Sequence, residues 1–293
     1  MKLSPPPRRV CLRLELPKTL LDALGQVVFI FGGALLLWYE VWHILPTYYS
    51  DVGDHGNKES DRQSEIRIHY AVAVFFAVNV YGNYYKIVTT DTSQKRYMFT
   101  SGSLLPDGWR HCFECNLNLP PRSHHCKICD TCILKRDHHC WFTGCCIGYF
   151  NHRYYIAMVT HCILTALYCN IFNLDFVISV KGHLTLFNLL SYIGPHFGLI
   201  FGYYGFYDFF ITTMTTVGTV LFFIFCNLLY IQLKQIYYGQ TKYELKKNIK
   251  SYDLGLCYSL RECMGKRWYL ILLFPWIPSP LPGSGNYYRV KGD

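Results

Sequence analysis

The chain has 293 residues and a formal net charge of +9; hydrophobic residues make up 51% of it and charged residues only 16%. This composition excludes a disordered chain, because disorder requires low hydrophobicity together with high net charge. The length alone would allow two soluble domains, so the positions of the apolar residues must decide the class.

Four apolar stretches are each about as long as the roughly 20 residues that cross a bilayer. They cover residues 21–45, 68–88, 155–180 and 209–233. The fourth stretch contains no charged residue, and most ionisable residues in the others lie near an end, which is typical of interfacial anchoring. Glu40 and His161 are the exceptions of interest. We therefore predict an all-α polytopic membrane protein with four transmembrane helices.

Lysine and arginine are concentrated in alternate segments between these stretches. Five lie in residues 1–20, nine in 86–153 and ten in 232–293, against three in 46–67 and one in 181–208. By the positive-inside rule, the termini and the central segment are predicted to be cytosolic. The excess positive charge then reflects topology and attraction to anionic lipid, and nucleic-acid binding is not needed to explain it.

These observations predict nine segments in chain order. They are a cytosolic N-terminus (1–20), the first span (21–45), a lumenal loop (46–67), the second span (68–88), a cytosolic cysteine-rich domain (89–154), the third span (155–180), a lumenal or interfacial loop (181–208), the fourth span (209–233) and a cytosolic C-terminal region (234–293). No internal repeat is evident.

Eight of the 14 cysteines fall between residues 112 and 146. Disulfides are disfavoured in the cytosol, so metal ligation or thiol chemistry must account for these cysteines. The segment contains Cys112-x2-Cys115, His125-Cys126-x2-Cys129-x2-Cys132, His138-His139-Cys140 and Cys145-Cys146. Because a Cys-x2-Cys pair can place two thiolates on one tetrahedral ion, the spacing predicts zinc sites.

Two sites of three cysteines and one histidine would use six of the eight cysteines. The spacing does not divide the ligands between the two ions, nor does it say which of Cys140, Cys145 and Cys146 supplies the sixth thiolate. Cys140 closes the run Asp-His-His-Cys that begins at Asp137. A carboxylate, a base and a thiol within four residues favour a nucleophilic role for Cys140.

Residues 112–155 resemble the signature of the DHHC protein S-acyltransferases, the palmitoyltransferases. The agreement rests on the cysteine frame, on Asp137-His138-His139-Cys140, and on Gly148 and Asn151. The resemblance implies four spans with a zinc-binding insert between the second and third. It also implies two structural zinc ions, one held by Cys112, Cys115, His125 and Cys132, the other by Cys126, Cys129, His139 and Cys146.

The same resemblance implies a two-step reaction. Cys140 would take a long-chain fatty acyl group from acyl-CoA and pass it to a cysteine of a target protein, with His138 as the base and Asp137 orienting it. Candidate acyl-CoA contacts are Arg122, His124, Lys135 and Trp141, and candidate supporting residues are Asn151, Thr241 and Glu244. The implied partners are membrane lipids, acyl-CoA and membrane-associated proteins with cytosolic cysteines, in the ER, the Golgi or the plasma membrane.

The chain departs from the family pattern close to Cys140. Trp141-Phe142 stands where the family has Pro-Trp, and Cys145 stands where it has Asn. These changes leave the Asp-His-Cys trio and the implied zinc ligands intact. They favour, as an alternative, a weak or inactive family member that acts as a membrane adaptor with a structural zinc module. A zinc-ligating ubiquitin ligase would not require a leftover thiol behind Asp-His-His.

Overall fold

The computed structural model describes residues 16–51, 59–94, 105–181, 185 and 192–292. Most of the predicted N-terminal segment, and parts of both predicted lumenal loops and of the cysteine-rich domain, lie outside the described residues. Most of the described chain is helical. The helices are α1 (Leu20–Val27), α2 (Gly33–Tyr39), α3 (Leu45–Asp51), α4 (Glu59–Thr89), α5 (His152–Lys181), α6 (Pro195–Ile200), α7 (Phe206–Tyr237), α8 (Lys242–Lys247), α9 (Leu256–Met264) and α10 (Trp268–Ile271).

The first three helices follow one another without a break. Short π-helical segments, Val28–Gly32 and Glu40–Ile44, join them. The run begins at a capping box, in which the Thr19 hydroxyl accepts from the Asp22 amide at 3.1 Å and the Asp22 carboxylate accepts from the Thr19 amide at 3.2 Å. Two of the otherwise unpaired donors at the helix start are thereby satisfied.

Three helical stretches of the described chain have the length and apolar composition to cross a membrane. They are Leu20–Tyr49, His152–Val180 and Phe206–Tyr237. Helix α4, which contains the second predicted span (68–88), is also long enough at 31 residues. It is not among the three, because its first turns are strongly charged and its apolar part contains Asn79, Asn83 and Lys86. A four-helix count therefore stays a prediction.

The chain divides into two compact units. The first comprises Met1–Phe29, Tyr81–Met158 and Leu229–Asp293, and the second Ile30–Val80 and Val159–Leu228. The described part of the second unit is helical, with a buried cluster of Tyr39, Ile44, Phe176, Val177 and Ile211. Both polar residues of interest in the predicted spans are buried in this unit. Glu40 accepts a 2.7 Å hydrogen bond from the Asn173 amide, and His161 packs edge-on against Phe75.

The first unit contains three antiparallel β-hairpins, which depart from the all-α prediction. They pair β1 (Arg110–Cys112) with β2 (Leu117–Leu119), β3 (His124–Cys126) with β4 (Thr131–Ile133), and β5 (His138–Cys140) with β6 (Cys145–Ile147). The hairpins begin at residues 110, 124 and 138, so they recur every 14 residues in the same register. The expectation of no internal repeat is therefore wrong.

The turns of the three hairpins share one backbone conformation. Asn116, Asp130 and Gly144 occupy the same place in each and have φ values of 51°, 49° and 61°. Only glycine adopts this left-handed region freely, and Asn and Asp are the side chains that tolerate it best. These residue types therefore allow the same tight turn to be repeated three times.

Candidate functional site

Two groups of cysteine and histidine side chains lie within the hairpins. Their potential ligand atoms are all within 4.8 Å of one another in each group. The first group is Cys112, Cys115, His125 and Cys132, and the second is Cys126, Cys129, His139 and Cys146. Each group therefore offers three thiolates and one imidazole, which is a donor set suited to a closed tetrahedral zinc site.

The separations within the groups fit a single ion. In the second group, His139 Nδ1 lies 3.2 Å from Cys129 Sγ and 3.8 Å from Cys146 Sγ, and those two sulfurs are 3.6 Å apart. Ligands at about 2.1–2.3 Å from a tetrahedral zinc ion are separated by roughly 3.5–3.8 Å. In the first group, His125 Nδ1 is 3.2 Å from Cys115 Sγ and 3.9 Å from Cys132 Sγ.

Each of the two histidines has a carboxylate beside its Nε2 atom. His125 Nε2 lies 2.5 Å from Glu114 Oε2, and His139 Nε2 donates to Asp22 Oδ1 at 2.9 Å. Such a bond fixes the imidazole tautomer, so that Nδ1 remains available to a metal. Spacing could not reveal Asp22, which is 117 residues from His139 in sequence.

The repeat explains which cysteines lie together. Each group combines the Cys-x2-Cys turn of one hairpin with the central cross-strand pair of the next hairpin. Those central pairs are His125 with Cys132 and His139 with Cys146. Side chains alternate between faces along a strand, so the central pair faces one side and its neighbours the other. The metal groups thus connect the hairpins in series.

The third hairpin ends this series. Its turn has Cys140 where the second hairpin has Cys126, and Thr143 where the second has Cys129. Among the described residues no fourth hairpin follows to offer a histidine and a cysteine. Cys140 accordingly belongs to neither metal-binding group.

Cys140 instead lies beside an aspartate–histidine pair. His138 Nδ1 donates to Asp137 Oδ2 at 2.8 Å, and the Cys140 thiol lies close enough to His138 for each to favour the charged form of the other. The Asp137 side chain is 1% exposed and accepts two further hydrogen bonds, from Gln232 Nε2 at 3.2 Å and from the Lys242 amide at 3.0 Å. The Asp137 carboxylate is thus fixed from three directions.

The electrostatics of the trio favour an ion pair between thiolate and imidazolium. Burial by itself lowers the pKa of His138, but hydrogen bonds to Asp137 and Cys140 and their charges outweigh it and raise that pKa to about 9. Burial would raise the pKa of Cys140, yet the hydrogen bond and charge of His138, with contributions from Thr143, hold it below its ordinary value. A thiolate is the reactive form of cysteine.

Helix α1 packs against the hairpin that carries Cys140. Gln26 Nε2 donates to the Thr143 carbonyl at 3.0 Å. Gly25 lies so close to the backbone of Trp141 that a Cβ there would approach its carbonyl oxygen to 2.6 Å. Glycine is therefore required for this close packing, and neither contact could be read from the cysteine frame.

The predicted supporting residues hydrogen-bond backbone groups close to the trio. Asn151 accepts from the Gly148 amide at 2.8 Å and donates to the Cys146 carbonyl at 3.0 Å. Thr241 and Glu244 form the capping box of α8, whose first amide, that of Lys242, reaches Asp137. Asn151 thus holds the end of the third hairpin, and Thr241 and Glu244 fix the helix start that donates to Asp137.

Two of the four predicted acyl-CoA contacts are buried in ion pairs. Arg122 binds both Glu244 oxygens, at 2.9 and 2.8 Å, and lies 3.4 Å from Glu262, which also accepts from Lys135 at 2.9 Å. Because two cations here balance two carboxylates, the placement of Arg122 and Lys135 favours a structural role over binding of CoA phosphates.

The other two candidates differ in environment. Burial and then the charges of Arg110 and Arg136 lower the pKa of His124 to about 4, so His124 is neutral at physiological pH. Trp141 is 52% exposed at the tip of the third hairpin and stacks on Phe142. An exposed aromatic side chain one residue from Cys140 is compatible with contact to a thioester substrate.

The fold and site together define a chain with three helices long and apolar enough to cross a membrane, two cysteine and histidine groups that could each hold a metal ion, and a separate cysteine beside an aspartate–histidine pair. Residues 106–249 match the family model of the DHHC palmitoyltransferases. The probable palmitoyltransferase ZDHHC24 of Danio rerio is 33% identical over 227 residues, which cover 77% of each chain. The namesake proteins of Mus musculus and Homo sapiens are 31% and 32% identical over 229 residues, covering 77% of this chain and 80% of each relative.

The chain belongs to the DHHC palmitoyltransferase family. Its membership confirms the family resemblance and the enzyme class inferred from the sequence, protein S-palmitoyltransferase.

Proposed function

We propose that this protein moves a long-chain fatty acyl group from acyl-CoA to Cys140 and then to cysteines of target proteins. The observation that carries the proposal is the Asp137–His138–Cys140 trio, in which Asp137 and Cys140 are buried and Cys140 lies outside both metal-binding groups. An ordinary thiol is only a few per cent ionised near pH 7. The paired imidazole supports a larger thiolate fraction.

Both steps are thioester exchanges. In the first, Cys140 Sγ bonds to the acyl carbonyl carbon, the bond to the CoA sulfur breaks, and CoA leaves as the thiol. In the second, the target cysteine bonds to the same carbon and Cys140 leaves. His138 takes a proton from the attacking thiol and returns it to the leaving sulfur, while Asp137 stabilises the imidazolium.

Zinc would have a structural role in this scheme. Cys112, Cys115, His125 and Cys132 would hold one ion, and Cys126, Cys129, His139 and Cys146 the other. All four positions of each site would be filled by protein, so the ions would hold the hairpins rigid and no water would be activated.

The proposed topology has four spans with both termini and the cysteine-rich domain (89–154) in the cytosol. The lysine and arginine bias supports this orientation, and α4 supplies a helix over the second proposed span (68–88). Membrane lipids, acyl-CoA and membrane-associated proteins with cytosolic cysteines would be the partners, in an endomembrane or the plasma membrane. Of the four candidate acyl-CoA contacts, Trp141 has the best support, because its exposed side chain follows Cys140 directly.

The adaptor alternative is not favoured by these findings. Trp141-Phe142 and Cys145 depart from the family pattern, but His138 still hydrogen-bonds Asp137 and interacts with the Cys140 thiol. An adaptor would need no such arrangement.

The test is acyl labelling of the full chain purified in detergent. With labelled palmitoyl-CoA, wild type is expected to acquire hydroxylamine-sensitive label and Cys140→Ser to lose it. Cys257→Ser, which changes an exposed cysteine of α9, serves as the matched control and is expected to label like wild type. Equal labelling of the wild type and Cys140→Ser would refute the assignment.

A further inference from the structure

Cys145 lies directly across the third hairpin from the nucleophile. Cys140 and Cys145 are Cα partners in the pairing of β5 with β6. Side chains of directly opposed residues in an antiparallel pair have Cβ atoms about 4.5–5.5 Å apart. The equivalent positions of the other hairpins are Leu117 and Thr131, so this pairing of two cysteines is peculiar to the third hairpin.

The alternation of the strands places both thiols on the same face. His139 and Cys146 form the central pair and face the second metal-binding group. The flanking pairs therefore project to the opposite face. Cys145 thus shares a face with His138 and Cys140. It is not a member of either metal-binding group, so a role as substitute ligand has no support.

The two cysteines also share neighbours. The Cys145 thiol donates to the Thr143 hydroxyl at 3.5 Å, and that hydroxyl in turn donates to the backbone carbonyl of Cys140 at 3.3 Å. The Tyr84 hydroxyl lies near enough to both sulfurs to interact electrostatically with each. Both cysteines are at most 7% exposed. Such an enclosed site shields a thioester on Cys140 from hydrolysis. The Cys145 thiol lies in the same site and can reach that thioester without passing through solvent.

We propose that Cys145 is a second acyl-carrying residue, which takes the acyl group from Cys140 by thiol–thioester exchange across the hairpin. This inference rests on the proposed function. The bond between the acyl carbonyl carbon and Cys145 Sγ forms, the bond to Cys140 Sγ breaks, and the proton of the Cys145 thiol ends on Cys140. One thioester replaces another, so the step needs no co-reactant.

The exchange has a measurable consequence for stoichiometry. Once the acyl group is on Cys145, the thiol of Cys140 is regenerated and can react with a second acyl-CoA. Without a target protein, the enzyme therefore accumulates about two acyl groups per chain, whereas a single nucleophile stops at about one.

The test is intact-mass spectrometry of the full chain in detergent with palmitoyl-CoA and no target protein. Wild type and the control Cys257→Ser are expected to reach about two hydroxylamine-sensitive acyl groups, Cys145→Asn about one, and Cys140→Ser none. The asparagine is the residue of the family pattern at this position, and the remaining acyl group on Cys145→Asn shows that this variant is folded. Fragmentation of the peptide spanning residues 137–153 is expected to place the second group on Cys145.

Several outcomes would overturn the inference. A wild type that stops at one group on Cys140, or a Cys145→Asn variant that still acquires two, would refute it while leaving the proposed function intact. Acyl transfer to Cys145 in Cys140→Ser would show direct loading and refute the exchange. A wild type that acquires no acyl group would refute the proposed function and this inference together.

Discussion

Replacing Arg122 by glutamine would leave two buried carboxylates without the cation they share. The side chains of Arg122, Glu244 and Glu262 are 1%, 3% and 7% exposed. Removing one partner of a buried ion pair destabilises a protein by about 3–5 kcal/mol, because the remaining charge is left in a poorly solvated site. Lys135 still contacts Glu262, so the orphaned charge is chiefly that of Glu244.

The measurement is thermal unfolding of the full chain in detergent, followed by scanning fluorimetry. About 2–4 °C per kcal/mol is typical of chains of this size class, so the midpoint of Arg122→Gln is expected to fall by roughly 6–20 °C. Arg261→Gln changes an exposed arginine of α9 and is the matched control. Its free energy of unfolding is expected to stay within about 0.5 kcal/mol of wild type.

A double mutant separates the orphaned charge from a general loss of packing. Glu244→Gln keeps an amide that can complete the capping box of α8, and the pair Arg122→Gln with Glu244→Gln leaves no unpaired charge between them. The double variant is therefore expected to lose less stability than the sum of the single variants, by about 0.5–3 kcal/mol. Additive losses, or an Arg122→Gln variant that melts like the control, would contradict the reasoning.

Three further expectations concern the metal groups and the trio. Elemental analysis is expected to give about two zinc ions per chain, falling to about one in Cys146→Ser and unchanged in Cys140→Ser; zinc loss in the Cys140 variant would disprove the ligand division. Thr143→Cys restores a Cys-x2-Cys turn in the third hairpin, so cadmium is expected to inhibit acylation of this variant but not of Thr143→Ser, and equal sensitivity would argue against the equivalence of the turns. The pKa of Cys140 lies below its ordinary value mainly because His138 outweighs burial, so alkylation of Cys140 is expected to decline as the pH falls through that lowered pKa. Asp137→Asn weakens the imidazolium and should move this decline to higher pH, as measured by mass spectrometry of iodoacetamide adducts; an unmoved profile would exclude Asp137 from that role.

The sequence was informative where chemistry depends on local spacing. The cysteine frame and Asp137-His138-His139-Cys140 were sufficient to predict the family. Apolar length predicted the three helices that are long and apolar enough to cross a membrane, together with a second span that is not among them. The division of ligands could not be derived from spacing, because Cys129 and Cys132 lie three residues apart yet belong to different metal groups. Strand alternation separates them, and it requires the pairing of the strands to be known. The 14-residue spacing that relates Cys112, Cys126 and Cys140 was, in contrast, present in the sequence.

Long-range burial was the other property that the sequence did not disclose. A basic residue in a segment expected to be cytosolic resembles a phosphate-binding residue, but Arg122 is enclosed by carboxylates from α8 and α9 that are 122 and 140 residues away. Asp22 likewise reaches His139 only through the packing of α1 on the hairpins. Side chains that act through partners distant in the chain require coordinates to be identified.

The serial arrangement of the hairpins would give the two proposed zinc ions unequal effects on the reaction. Loss of the ion at Cys112 would release the first hairpin, but the second and third hairpins would still be joined by the other ion. Loss of the ion at Cys146 would release the third hairpin, which carries Cys140, from the second. Partial chelation is therefore expected to reduce acylation in proportion to the loss of metal from the group that contains Cys146, whether or not the group that contains Cys112 keeps its metal.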